Sequence, residues 1–149
     1  MSTEQDQPRI VVGIDGSADS INALRHAAAY AKLLGARLEL IAAWTFQPTS
    51  ADIYLDRSLL EGHARKGLEE AVHEVFGNEP PESLSLGCWQ GGAAKVLIDA
   101  SEDAALLVVG SRGHGGFTGL LLGSVSETCA RHAKCPVLIV PAKAAPLLP

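Results

Sequence analysis

At 149 residues, 47% apolar and 19% charged, the chain has the length and composition of one globular domain, not of a disordered or fibrous protein. Its formal charge of −5 argues against nucleic acid as a partner, because a phosphate backbone selects basic surfaces. No apolar run is long enough for a membrane span, Met1–Arg9 is polar, and an odd set of cysteines (Cys88, Cys129, Cys135) suggests reduced thiols, so a cytoplasmic protein with neither membrane nor secretory segment is expected.

The chain reads as strands alternating with helices. Ile10–Ile14 is a short β-branched run suited to a strand buried on both faces. Asp15-Gly16-Ser17 breaks it, and Asp19 or a polar neighbour is expected to cap the helix whose stripe is Ile21, Leu24, Ala28, Ala31 and Leu34, with Gly35 as its stop. Leu38–Trp44 follows as the second strand. After an irregular stretch, Phe46–Arg57, a second helix opens at Asp56 or Ser58 and carries the stripe Leu60, Ala64, Leu68, Ala71 and Val75. Asn78-Glu79-Pro80-Pro81 ends it.

Ser83–Trp89 alternates as a half-covered edge strand does, and Gly91-Gly92 leads into a short helix over Ala93–Ser101. Leu106–Val109 is a fourth, fully apolar strand. A glycine-rich stretch runs to Gly123, Ser124–His132 is helical, and Val137–Val140 is the last strand. The tail from Pro141, with its prolines, is expected to be loose. Strands separated by helices mean parallel βαβ units in one three-layer α/β domain.

In an open parallel sheet ligands bind beyond the carboxyl ends of the strands, where strand order reverses. Two strand ends here are unlike ordinary turns. Gly13-Ile14-Asp15 sets a carboxylate directly after a buried strand, where it can meet a ribose hydroxyl, a cation or a helix start, or merely cap a turn. The run Gly110-Ser111-Arg112-Gly113-His114-Gly115-Gly116 offers backbone N–H groups to an anion, and Gly123-Ser124 then opens a helix whose start favours phosphate. Ser124 and Ser126 can add hydroxyl donors. G-x-x-x-x-G-K-[ST] and a G-x-G-x-x-G after the first strand are both missing, which excludes P-loop energy coupling and Rossmann dinucleotide chemistry.

The spacing Gly110-x2-Gly113-x9-Gly123-Ser124, with VVGIDGS near the start, LLVVGSRGHGG and CPVLIVP, resembles the nucleotide-binding signature of the universal stress protein family. The resemblance runs from Ile10 to Pro141, giving a domain at 9–141 with tails at 1–8 and 142–149. It implies a five-stranded parallel sheet of order 3-2-1-4-5 that binds ATP, with Mg²⁺ beside the phosphates. By matching position, Gly13, Ile14, Asp15 and the backbone of Ala43 would line the adenosine side. Gly110, Arg112, Gly113, His114, Gly123, Ser124, Val125 and Ser126 would surround ribose and phosphates. It also implies a homodimer through Val137–Val140, an edge with no charge or internal proline to blunt it.

The reading that follows is an ATP-binding stress sensor or regulator with at most slow hydrolysis, since neither a P-loop lysine nor an evident base–arginine pair is present. Two alternatives stay open: an interaction module of the same fold that binds no nucleotide or another adenine nucleotide such as cyclic AMP, and an ATPase or phosphotransferase using Asp15 and His114. No residue is assigned as catalytic. Cys129-x2-His132-x2-Cys135 has metal-like spacing but no evident fourth ligand, so buried thiols beside a surface histidine are expected. His26, His63 and His73 are expected at the surface, and Trp44 and Trp89 either edge the pocket or pack.

Overall fold

A computed structural model describes residues 6–46, 57–112 and 122–146. The elements follow in the order β1 (Arg9–Gly13), α1 (Ala18–Leu34), β2 (Arg37–Trp44), α2 (Arg57–Phe76), β3 (Ser85–Gln90), α3 (Ala93–Ala100), β4 (Leu106–Gly110), α4 (Ser124–His132) and β5 (Val137–Val140). The strands form one parallel sheet of order β3-β2-β1-β4-β5. The chain thus builds outward from β1 to β3, then crosses to the other side for β4 and β5. Right-handed crossovers in opposite directions put their helices on opposite faces.

The packing follows that rule. Side chains alternate across a strand, so β1 sends Ile10 and Val12 to one face and Val11 to the other. The first face joins Leu24 and Ala27 of α1, Leu38 and Leu40 of β2, and Leu68 and Ala71 of α2. The second joins Ile41, Leu107 and Val109 to Leu97 of α3 and Cys129 of α4. Both faces of β1 and β4 are sealed, and this explains why those strands carry apolar runs with no polar alternation.

Ser17, rather than Asp19, caps α1: its hydroxyl accepts from the Ser20 N–H at 3.1 Å, leaving Asp19 in the first turn where its charge favours the helix dipole. Gly35 ends α1 in the left-handed region at φ 62°. The stripe of α1 is rotated from the expected one, for Ala23 and Ala27 are fully buried while Leu34 is 56% exposed. Leu34 is the last residue of the helix, just before its Gly35 stop. In α2 the stripe holds at Leu68 and Ala71, with Ala64 and Val75 half-buried. Asp56, one of the two expected starts of α2, lies outside the described residues.

Two expectations are corrected. The tail after Pro141 is not loose over its described part: the Asn22 amide donates to the carbonyls of Pro141, Ala142 and Ala144 at 3.3, 3.5 and 3.1 Å. His26 is not a surface residue, because it is 9% exposed and its Nε2 lies 3.1 Å from the same Ala144 carbonyl. Partners 118 residues apart in sequence leave no local signal for either.

Cys129 is fully buried and Cys88 and Cys135 are half-buried, all three free. Burial pushes the Cys129 thiol up to about 11. The native state therefore holds this proton more tightly than the unfolded chain does. Its contribution to stability is complete below about pH 8.5, where the unfolded thiol is still neutral, and is lost as pH rises through about 11. Cys129→Ala is expected to flatten the fall of melting temperature across that window, and an unchanged alkaline slope would contradict this.

Candidate functional site

Reversal of strand order between β1 and β4 opens a crevice beyond their carboxyl ends. At the end of β1 the Ile14 N–H still pairs with the Ile41 carbonyl at 2.9 Å, after which the chain turns at Gly16, whose φ of 85° no β-carbon would favour. The Asp15 carboxylate accepts from both the N–H and the hydroxyl of Ser17, and the Asp15 N–H donates to the Ser20 hydroxyl at 3.3 Å. Asp15 therefore does cap a turn, and it also lies on the crevice wall.

At the end of β4 the Ser111 N–H continues the sheet by donating to Val140 at 3.0 Å. The Ser111 carbonyl then accepts from the Gly123 N–H at 2.6 Å, and the Ser126 hydroxyl lies 3.0 Å from the carbonyls of both Ser111 and Gly123. These bonds tie the first turn of α4 to the end of β4. Ser126, expected as a ligand donor, is 3% exposed and holds this joint.

Eight of the residues singled out from sequence line the crevice: Gly13, Ile14, Asp15, Ala43, Gly110, Arg112, Val125 and Ser126. Gly123 and Ser124 stand beside them as the cap and first residue of α4. Gly113 and His114 lie outside the described residues. Sequence reading missed Ser20, Ile41, Ala93, Leu97 and Val109, which complete the wall. Ile41 and Val109 were findable in principle, since each lies two residues or fewer from a chosen position on its strand; Ala93 and Leu97 depend on where α3 docks. Trp89 is 58% exposed and folds over Gly87 away from the crevice, and Trp44 does not line it either.

The crevice encloses about 80 Å³, and about 550 Å³ when the open solvent at its mouth is counted. Its wall combines the aliphatic side chains of Ile41, Ala43, Leu97 and Val109 with the exposed Arg112 and the start of α4. Among the described residues no side chain caps α4 at Gly123 or α3 at Gly92, and the first turns of both helices border the crevice through Val125 and Ala93. Uncapped amides at a positive dipole end are an anion site in waiting. Also among the described residues, no three His, Cys, Asp or Glu side chains gather as a metal site, the Cys129-His132-Cys135 spacing included.

The universal stress protein family model matches residues 8–141. The chain belongs to the universal stress protein family. It is 33% identical over 135 residues to a universal stress protein of Mycobacterium tuberculosis H37Rv, an alignment covering 89% of this chain and 45% of that protein. The chain spans about half the length of the curated relatives it matches. Universal stress protein UspA from Lactobacillus plantarum superposes with a TM-score of 0.76 at 21% identity, over 89% of this chain and 97% of that one. A universal stress protein solved in complex with cAMP superposes at 0.65 with 28% identity, over 89% of this chain and 96% of the other. The expected sheet order 3-2-1-4-5 is thus observed, in a fold shared with UspA from Lactobacillus plantarum.

Proposed function

We propose that the chain binds an adenine nucleotide in the crevice, ATP with Mg²⁺ in the first instance, and acts as a nucleotide-dependent stress sensor or regulator with at most slow hydrolysis. One observation carries the reading: an aliphatic slot and two uncapped helix starts meet at the switch point of a parallel sheet, with an arginine at the mouth. The base takes the aliphatic wall of Ile41, Ala43 and Leu97. The phosphates take the part formed by Gly110, Arg112 and the first amides of α4, Gly123 to Ser126, with Gly113 and His114 joining them on the sequence pattern alone. ATP there supplies a polyanion whose charge the helix start and Arg112 neutralise. Mg²⁺ would be held chiefly by phosphate oxygens and water with Asp15, the one carboxylate on the wall among the described residues, since this cation keeps several waters and needs few protein ligands.

A second reading, cyclic AMP as the physiological ligand, is favoured by the cAMP complex of the 28%-identical neighbour. The test is to purify the protein without added nucleotide, denature it and identify by chromatography what is released. ATP in the supernatant supports the first reading, cyclic AMP the second. An empty protein that takes up neither on titration contradicts both.

The proposal extends to a cytoplasmic homodimer. Free thiols suit a reducing compartment, and no helix among the described residues is long and apolar enough to cross a membrane. Strand β5 is the open edge beside β4, with Val137, Leu138 and Ile139 only half-buried. The Pro136 and Val140 carbonyls bond to β4, so by alternation Val137 and Ile139 turn their backbone groups outward. Ile139→Pro removes an outward donor without breaking the internal ladder, and is expected to sediment as a monomer where the wild type sediments as a dimer. A wild-type monomer at micromolar concentration would contradict the dimer.

A further inference from the structure

Gly13 is the last residue of β1 and still pairs with Ile41, and a glycine in a paired strand position often marks a close approach. Its backbone does not require glycine: the positive-φ glycines among the described residues are Gly16, Gly35, Gly77 and Gly91. The space a β-carbon would fill is already taken. A Cβ on Gly13 would lie 2.8 Å from Leu97 Cδ1, 3.4 Å from Leu97 Cδ2 and 3.4 Å from Val109 Cγ1. Leu97 is 5% exposed and is the single buried residue of the eight-residue helix α3. A helix that short has little stability of its own, so packing places it, with Leu97 seated at Gly13 and Val96, Ile98 and Ala100 half-buried against the same core. The same helix presents Ala93 and Leu97 to the crevice.

We infer that Gly13 is a socket for Leu97, and that this pair helps position α3 and so sets the width of the crevice along its aliphatic wall. The inference rests on the reading of the crevice as a nucleotide site. Gly13 then serves the ligand through Leu97 and not by letting ligand atoms approach the strand backbone. The one atom closer than 3.0 Å, Leu97 Cδ1, is the end of a flexible side chain, so an added Cβ moves Leu97 off its seat in the wall it forms.

A double-mutant cycle of Gly13→Ala and Leu97→Val tests this, because valine lacks both Cδ atoms. ATP and cyclic AMP affinities are read by calorimetry and melting temperature without ligand. Gly13→Ala alone is expected to weaken binding about tenfold to a hundredfold and to lower the melting temperature, as overpacking does. Leu97→Val is expected to lower both affinity and melting temperature by itself, since it empties the socket and trims a wall residue, and Gly13→Ala/Leu97→Val should fall little further than Leu97→Val does. A double variant that melts like Leu97→Val but binds far more weakly would show that the glycine faces the ligand, and would overturn the inference. Additive melting losses would overturn it too. Should Gly13→Ala fail to fold, Leu97→Val is compared with the double variant: near-equality supports the socket, and a further large loss refutes it. If the wild type binds no nucleotide, the functional reading fails separately, and non-additivity in melting alone decides the socket.

Discussion

Ser124→Asp is expected to leave the protein as stable as wild type or slightly more so, while weakening ATP binding by about tenfold or more. Ser124 is the first residue of α4 and is exposed, so the substitution creates no packing fault. A carboxylate in the first turn interacts favourably with the helix dipole, by roughly 0.3–1 kcal/mol. The same charge stands where the phosphates are proposed to lie, and one like-charge contact at a partly desolvated site costs on the order of 1–2 kcal/mol, about tenfold in affinity. Stability and binding therefore move in opposite directions. Melting without ligand and calorimetry with ATP read the two effects, and a variant that binds ATP as well as wild type would remove α4 from the site.

Gly110→Ala has the reverse signature. A β-carbon there would lie 3.0 Å from the carbonyl carbon, the carbonyl oxygen and the Cβ of Asp19. Two of these are backbone atoms in the first turn of α1, which is fixed by the Ser17 cap and cannot move as a side-chain tip does. Overpacking against them is expected to cost about 1–3 kcal/mol. For a chain of this size that lowers the melting temperature by about 2–12 °C even with no nucleotide present. Melting equal to wild type without ligand, with affinity alone reduced, would mean that Gly110 is a glycine for the ligand and not for α1.

These two positions show what the sequence could and could not tell. The strands were legible as apolar runs, because β1 and β4 are buried on both faces, and Ser124–His132 and Val137–Val140 agree with the elements formed. Sheet order came from family resemblance, since a run of residues does not say which strand lies beside it. Asp15, Arg112 and Val125 line one crevice, the location that the switch-point rule assigns to strand ends. The reason for the glycines was not legible. Read along the chain, Gly13 and Gly110 look like room for a ligand, yet their nearest neighbours are Leu97 and Asp19, brought there by folding. Long-range contact also hid the burial of His26 under Ala144 and the use of the Ser126 hydroxyl to hold Ser111.

The central claim is that the crevice at β1 and β4 binds an adenine nucleotide. The most direct measurement is calorimetric titration of nucleotide-stripped protein with ATP, ADP and cyclic AMP, each with Mg²⁺, beside Ser124→Asp. A saturable one-site isotherm with at least one of them, weakened in the variant, is the predicted result. Flat titrations with all three nucleotides, from protein that melts cooperatively, would contradict it.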